Sequence, residues 1–275
     1  MSTEANKSIK IRLRYWNCRG RAQSFRYMLE EIVHAHPEVD YQVETEYLEK
    51  ENETWPQRKF DDTIGGPFQS LPVLRWNDKE TFTQTLTIGL SRTSDYLSTI
   101  NFHFLLAQLL ARKFHLYGKL TSSIVDEDFL HGYIDGVVSC AYTDVISGVL
   151  SCIWNEVDLV DERNPIHRIT KKIPGDLKAL NNLLAKSSTP FYYDQPEPTI
   201  ADYFVFEAFT LSRDFALKFI PDKENRQALE KLEQSIKQRP VIANYFAKGS
   251  LYQRFTGSPT EDQYMAKLAE TKQRL

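Results

Sequence analysis

Hydrophobic positions change their period along this chain. Ile9, Ile11, Leu13 and Tyr15 alternate with Lys10, Arg12 and Arg14, the period-two pattern of a half-buried strand. Over residues 23–33 Phe25, Leu29 and Ile32 fall at helical spacing, which predicts a helix directly behind that strand. A second extended run covers residues 41–46. After a loop with Gly65, Gly66 and Pro67, residues 71–76 read as a strand that turns at Asn77 and Asp78 into residues 81–83. Beyond Gln84 the period is helical, over 126–154, 173–186, 200–215 and 225–238. Thr199 and Asp202 stand three apart ahead of an apolar run, the spacing of an ordinary capping box. The pattern therefore predicts a small α/β domain over 8–88 and an all-helical domain over 109–258, with 259–275 as a tail.

Composition supports folding: 41% of the 275 residues are hydrophobic and 26% charged, enough apolar side chain for two ordinary domains. The net charge of −3 supplies no basic field, which argues against nucleic acid and anionic membrane surfaces as partners. The most apolar stretch noted, residues 100–111, contains Asn101, His103 and Gln108 and falls short of the ~20 residues of a membrane span. Residues 1–8 are polar with both charge signs, unlike a secretory signal, and Cys18, Cys140 and Cys152 are odd in number and widely spaced. A cytoplasmic protein without a disulfide framework is expected. Neither a His-Glu-x-x-His motif nor a glycine-rich phosphate loop occurs, and His34 and His36 have no cysteine at ligand spacing, so no metal is expected.

The segment Leu13-Arg14-Tyr15-Trp16-Asn17-Cys18-Arg19-Gly20-Arg21-Ala22 resembles the first strand and helix of cytosolic glutathione transferases of the tyrosine type, the sigma, pi, mu and alpha classes, with sigma favoured. The likeness continues in order through Trp55-Pro56-Gln57-Arg58-Lys59, Phe68-Gln69-Ser70-Leu71-Pro72-Val73-Leu74, Thr83-Gln84-Thr85, Tyr133-Ile134-Asp135-Gly136, Thr199-Ile200-Ala201-Asp202 and Arg239-Pro240. It implies an α/β thioredoxin-like N-terminal domain followed by an all-α C-terminal domain, assembled as a homodimer. The implied activity is detoxifying conjugation of glutathione, as co-substrate, to small hydrophobic electrophiles. A glutathione-dependent isomerase of the prostaglandin D synthase kind and a non-catalytic, crystallin-like glutathione-binding relative remain as alternatives.

By the same resemblance, Tyr15 would donate a hydrogen bond to the glutathione sulfur and stabilise its thiolate, where an isolated tyrosine would simply fill a half-buried site. Arg21 would lend positive charge there, or form a surface salt bridge. A cis Leu71–Pro72 bond would turn the backbone of Leu71 toward the cysteinyl unit; a trans strand start is the alternative. Gln84 and Thr85, at a helix start, would hold the γ-glutamyl end, with Thr85 also able to cap. Trp55 and Lys59 would bind the glycyl carboxylate, or cover a solvated helix face. Asp135, in a helix rich in Val, Ile and Ala, would reach the ligand's amino group in the neighbouring subunit or make an interface salt bridge. Phe68 matches an aromatic key inserted into the partner, or is a plain loop aromatic.

Three departures stand out. Gln23 replaces an acid, Ser70 stands where a longer amide usually contacts the ligand, and Thr85 replaces the commoner Ser. A larger one follows Ile88. With residues 89–108 lifted out, Gln84-Thr85-Leu86-Thr87-Ile88 joins Leu109-Leu110-Ala111-Arg112-Lys113-Phe114 into one family-like helix with Leu86, Leu110 and Phe114 on one stripe. Residues 89–108 are therefore read as an insertion, either a translated intron or a genuine loop or helix extension. Its place beside cleft and interface puts full activity in question.

Overall fold

The computed structural model describes residues 8–47, 54–66, 69–83, 103–121, 124, 126–159 and 167–270. Strand β1 (Ile9–Trp16) carries the expected alternation, with Ile11, Leu13 and Tyr15 buried and the residues between them partly exposed. Helix α1 (Gln23–Ala35) follows and leads into β2 (Val39–Glu46), which pairs with β1 in parallel, the βαβ arrangement. A four-residue helix α2 (Trp55–Arg58) precedes the hairpin of β3 (Val73–Trp76) and β4 (Glu80–Thr83), whose turn is made by Asn77 and Asp78 with positive φ. β3 pairs antiparallel with β1, giving one sheet in the order β2-β1-β3-β4. This is the thioredoxin-like layout expected of the N-terminal domain.

The rest is helical: α3 (His103–Lys113), α4 (Glu127–Ser139), a π-helical turn (Cys140–Ile146), α5 (Ser147–Trp154), α6 (His167–Leu184), α7 (Ile200–Phe215), α8 (Gln227–Gln238), α9 (Pro240–Ala247) and α10 (Glu261–Glu270). α4, the π turn and α5 form one continuous helix of 28 residues, long and apolar enough by composition to cross a membrane. It exceeds the apolar stretch singled out in the sequence. In its most apolar window 61% of the residues are buried, consistent with a central helix of this domain.

α7 is buried almost all around. Its start is the expected capping box: Asp202 Oδ2 accepts from the Thr199 N–H (2.7 Å) and hydroxyl (2.8 Å), while Oδ1 takes the N–H of Tyr192 (3.1 Å). The two domains meet where α1 packs on α7, with Phe25 edge-on to Phe204 (5.6 Å) and Tyr27 against Phe206 (5.1 Å).

Two stretches carry helix at the edges of the expected all-helical domain. Residues 103–108, assigned to the insertion, are helical and continuous with 109–113 in α3, and Leu106 and Ala107 are buried. Leu110 and Phe114 occupy the buried stripe as expected, whereas Leu86 lies outside the described residues. Residues 261–270, within the expected tail, form α10, which docks through buried Tyr264, its hydroxyl donating to the Val157 carbonyl (2.8 Å), and Leu268.

Candidate functional site

Tyr15, next to last in β1, lies on the same face as buried Ile11 and Leu13, so its phenol points into protein and is 4% exposed. The chain then turns sharply through residues 17–22 into α1. Gly20, at φ +45°, permits the turn: a Cβ there would lie 2.4 Å from the Tyr15 hydroxyl. The Arg21 N–H donates to that hydroxyl at 2.9 Å. Because the phenol oxygen is an acceptor in this bond, its proton is left for a second partner. Burial, with Cys18 close by, pushes the Tyr15 phenol well above its ordinary range, opposed by Arg21 and Arg26, so it stays a protonated donor. Burial likewise pushes the Cys18 thiol up to about 12, and that sulfur is no nucleophile at neutral pH.

The loop carrying this geometry is clamped from the helical domain. The Arg19 and Gly20 N–H groups donate to the carbonyls of Arg254 and Phe255 (2.8 Å each). Arg19, 3% exposed, grips Glu207 of α7 in a bidentate pair (3.0 and 3.2 Å) and reaches Asp214 at 2.6 Å and the Thr210 hydroxyl at 3.1 Å. Below the 254–255 segment, Glu261 of α10 accepts the N–H groups of Phe255 (2.8 Å) and Thr256 (2.7 Å). The tail helix thus anchors the strip on which the Tyr15 loop rests.

Around the phenol the structure gathers groups that sequence reading did not single out. The Arg21 guanidinium lies 5.0 Å over the ring of Trp154 at the end of α5, a cation–π contact. Tyr142, from the π turn, is buried, and burial pushes its phenol well above the ordinary range, opposed by Arg21 and aided by Tyr15. The only hint of either in the sequence is an aromatic in an apolar helix.

Leu71–Pro72 is cis, as expected, and Leu71 precedes the β3 ladder, which begins at Val73. Ser70 is buried, its N–H donating to the Gly65 carbonyl (2.9 Å). Trp55 opens α2 and packs edge-on against Trp16 at 5.0 Å, on the opposite face of β1 from Tyr15; Lys59 closes α2 with its ammonium 5.2 Å from the Phe60 ring. Asp135 is held within its own chain. Its carboxylate accepts from Gln108 Nε2 (2.7 Å) and from the Tyr117 hydroxyl (2.8 Å), and partial burial raises it against those bonds. Phe68, Gln84 and Thr85 lie outside the described residues. Among the described residues no cluster of three metal-ligating side chains occurs.

Residues 143–249 match the family model of the glutathione S-transferase C-terminal domain. No curated protein matches the chain. Among solved structures, the glutathione S-transferase of Ascaris lumbricoides aligns with a TM-score of 0.57 at 18% identity, covering 87% of this chain and 97% of that one. The pi-class enzyme of Onchocerca volvulus gives 0.54 at 17%, over 87% and 93%, and the nu-class one of Haemonchus contortus 0.53 at 18%, over 87% and 96%. The chain has the glutathione S-transferase fold. In that fold Tyr15 stands where the thioredoxin-like sheet meets the helical domain, and Trp154, within the matched residues, meets the neighbouring Arg21.

Proposed function

We propose that this protein is a glutathione transferase whose Tyr15 hydroxyl stabilises the thiolate of bound glutathione. One observation carries the reading: a buried, protonated phenol accepts the Arg21 N–H at 2.9 Å and keeps its own proton for an anion at the start of α1. The sulfur would sit against that proton near the positive end of a 13-residue helix, both of which favour the charged form. The thiolate then attacks an electrophilic carbon, a C–S bond forms, and the displaced electron pair leaves with the departing group or is protonated by water. Arg21, stacked on Trp154, supplies positive potential beside the thiolate.

In this reading the backbone of Leu71 beside cis Pro72 pairs with the cysteinyl unit, Ser70 contacts the ligand in place of a longer amide, Gln84 and Thr85 hold the γ-glutamyl end, and Trp55 and Lys59 take the glycyl carboxylate. Asp135 takes a structural part within the chain as long as Gln108 and Tyr117 hold it, and serves a homodimeric neighbour only when they release it. Phe68 would key that dimer. A cytoplasmic location and the sigma class belong to the same proposal. Product analysis on a panel of electrophiles and an endoperoxide tests it. Glutathione conjugates of the electrophiles support a transferase, isomerised endoperoxide alone supports the isomerase, and glutathione retention without turnover of either supports the crystallin-like binder.

A further inference from the structure

A second cleft, about 350 Å³, opens on the far side of Arg26 from Tyr15, between α1, β2 and the turn after α9. Arg26 is 1% exposed, and its guanidinium is spent on neutral acceptors: the carbonyls of Cys18 (2.7 Å) and Trp16 (3.1 Å) and the Gln23 side-chain oxygen (3.2 Å). No carboxylate lies within ion-pair distance of it among the described residues, in contrast to Arg19 with Glu207 and Asp214 or Arg239 with Glu31 and Glu197. Its Nε is buried and has no hydrogen-bond partner among the described residues. A buried cation is costly without an anion beside it, and this one lines a cleft.

The rest of the lining says what kind of anion fits. Tyr41 lines the same cleft, and its hydroxyl is also buried and without a partner among the described residues, kept protonated by burial and so a second donor. Val43, Leu251 and the ring of Tyr252, on which Arg26 stacks at 4.2 Å, make apolar walls. Glu30 is the only acid in the lining. It stands four residues after Arg26 on α1 without pairing with it, and it would repel a second negative charge. The volume is at the small end for ligand pockets.

We propose that this cleft is a binding site for a small organic monocarboxylate with a flat apolar body, its carboxylate accepting from Arg26 Nε and the Tyr41 hydroxyl. The site is independent of the glutathione reading, since it lies on the other side of Arg26 and needs no thiol.

Benzoate is the probe, with benzamide as its neutral counterpart, titrated calorimetrically into the full-length protein while the methyl signals of Val43 and Leu251 are followed by NMR. Saturable binding of one benzoate is expected, with shifts at both methyl groups and benzamide weaker by about tenfold or more, the worth of a charged hydrogen bond. Tyr41→Phe should weaken benzoate about fivefold and Glu30→Gln should tighten it. Both variants leave the buried Arg26 in place, and their melting curves verify the fold. Absence of saturable benzoate binding, equal binding of benzamide, shifts that map elsewhere, or affinity indifferent to both substitutions would overturn the proposal.

Discussion

Gly20 is the position at which the account of the Tyr15 loop can be tested most severely. Replacing it with alanine has two separable consequences. The residue is held at φ +45°, where an L side chain costs roughly 1–2 kcal/mol. The new Cβ would also lie 2.4 Å from the Tyr15 hydroxyl and 2.7 Å from a ring carbon, an overlap of the kind that costs about 1–3 kcal/mol when a packed site must yield. The loop has little room to retreat, because the Arg19 and Gly20 N–H groups are tied to the Arg254 and Phe255 carbonyls and Arg19 is anchored on Glu207. The phenol must therefore move. Gly249→Ala isolates the first term: its φ is +66° and an added Cβ meets nothing within 4 Å. Chemical denaturation should show Gly20→Ala losing about 2–5 kcal/mol against about 1 for Gly249→Ala. A phenol displaced by about 1 Å should also lower conjugation by up to about 100-fold in the folded fraction. If the two substitutions agree within about 0.5 kcal/mol, which is ordinary surface behaviour, the close packing of Gly20 on Tyr15 is refuted.

Three other outcomes follow from the same structure. Glu207→Gln leaves Arg19, 3% exposed, with Asp214 as its remaining acid; it should cost about 3 kcal/mol by urea denaturation, and a loss under about 1 would mean the clamp is not structural. Leu106→Ala should cost about 2–4 kcal/mol because Leu106 is buried in α3; no loss of melting temperature would return residues 103–108 to the status of a dispensable insertion. Because burial raises the Tyr15 phenol, its donor form persists across the neutral and mildly alkaline range, so the conjugation rate should rise with pH as the thiol ionises and then level off. A falling limb below about pH 10, the ordinary tyrosine value, that Tyr15→Phe removes would contradict this.

Much of the N-terminal domain was legible because its signals are local. The alternation over residues 9–15 and the turn at Asn77 and Asp78 each specify geometry within a few residues, and the four long helices follow from their period. The rest depends on distant partners. Arg19 and Glu207 are 188 residues apart, and nothing local to either marks a buried pair. The π turn at Cys140–Ile146 shifts a helix by one residue without disturbing its apolar character. α10 looks polar in sequence and is fixed by Tyr264 reaching Val157. Asp135 was read as needing a partner, and within its own chain Tyr117 and Gln108, 18 and 27 residues away, donate to it without any local signal.

The central claim is that the Tyr15 hydroxyl stabilises a thiolate, and the measurement closest to it is the pKa of the thiol of bound glutathione, followed by thiolate absorbance against pH in the wild type and in Tyr15→Phe. A free thiol titrates near 8.5, and a hydrogen bond to a charged group worth about 1.5–3 kcal/mol lowers that by about 1–2. The wild-type complex should therefore titrate near about 6.5–7.5, and the Tyr15→Phe complex should return most of the way to the free value with glutathione affinity little changed. A bound thiol that titrates near 8.5 in the wild type, or equally low in both proteins, would contradict the assignment.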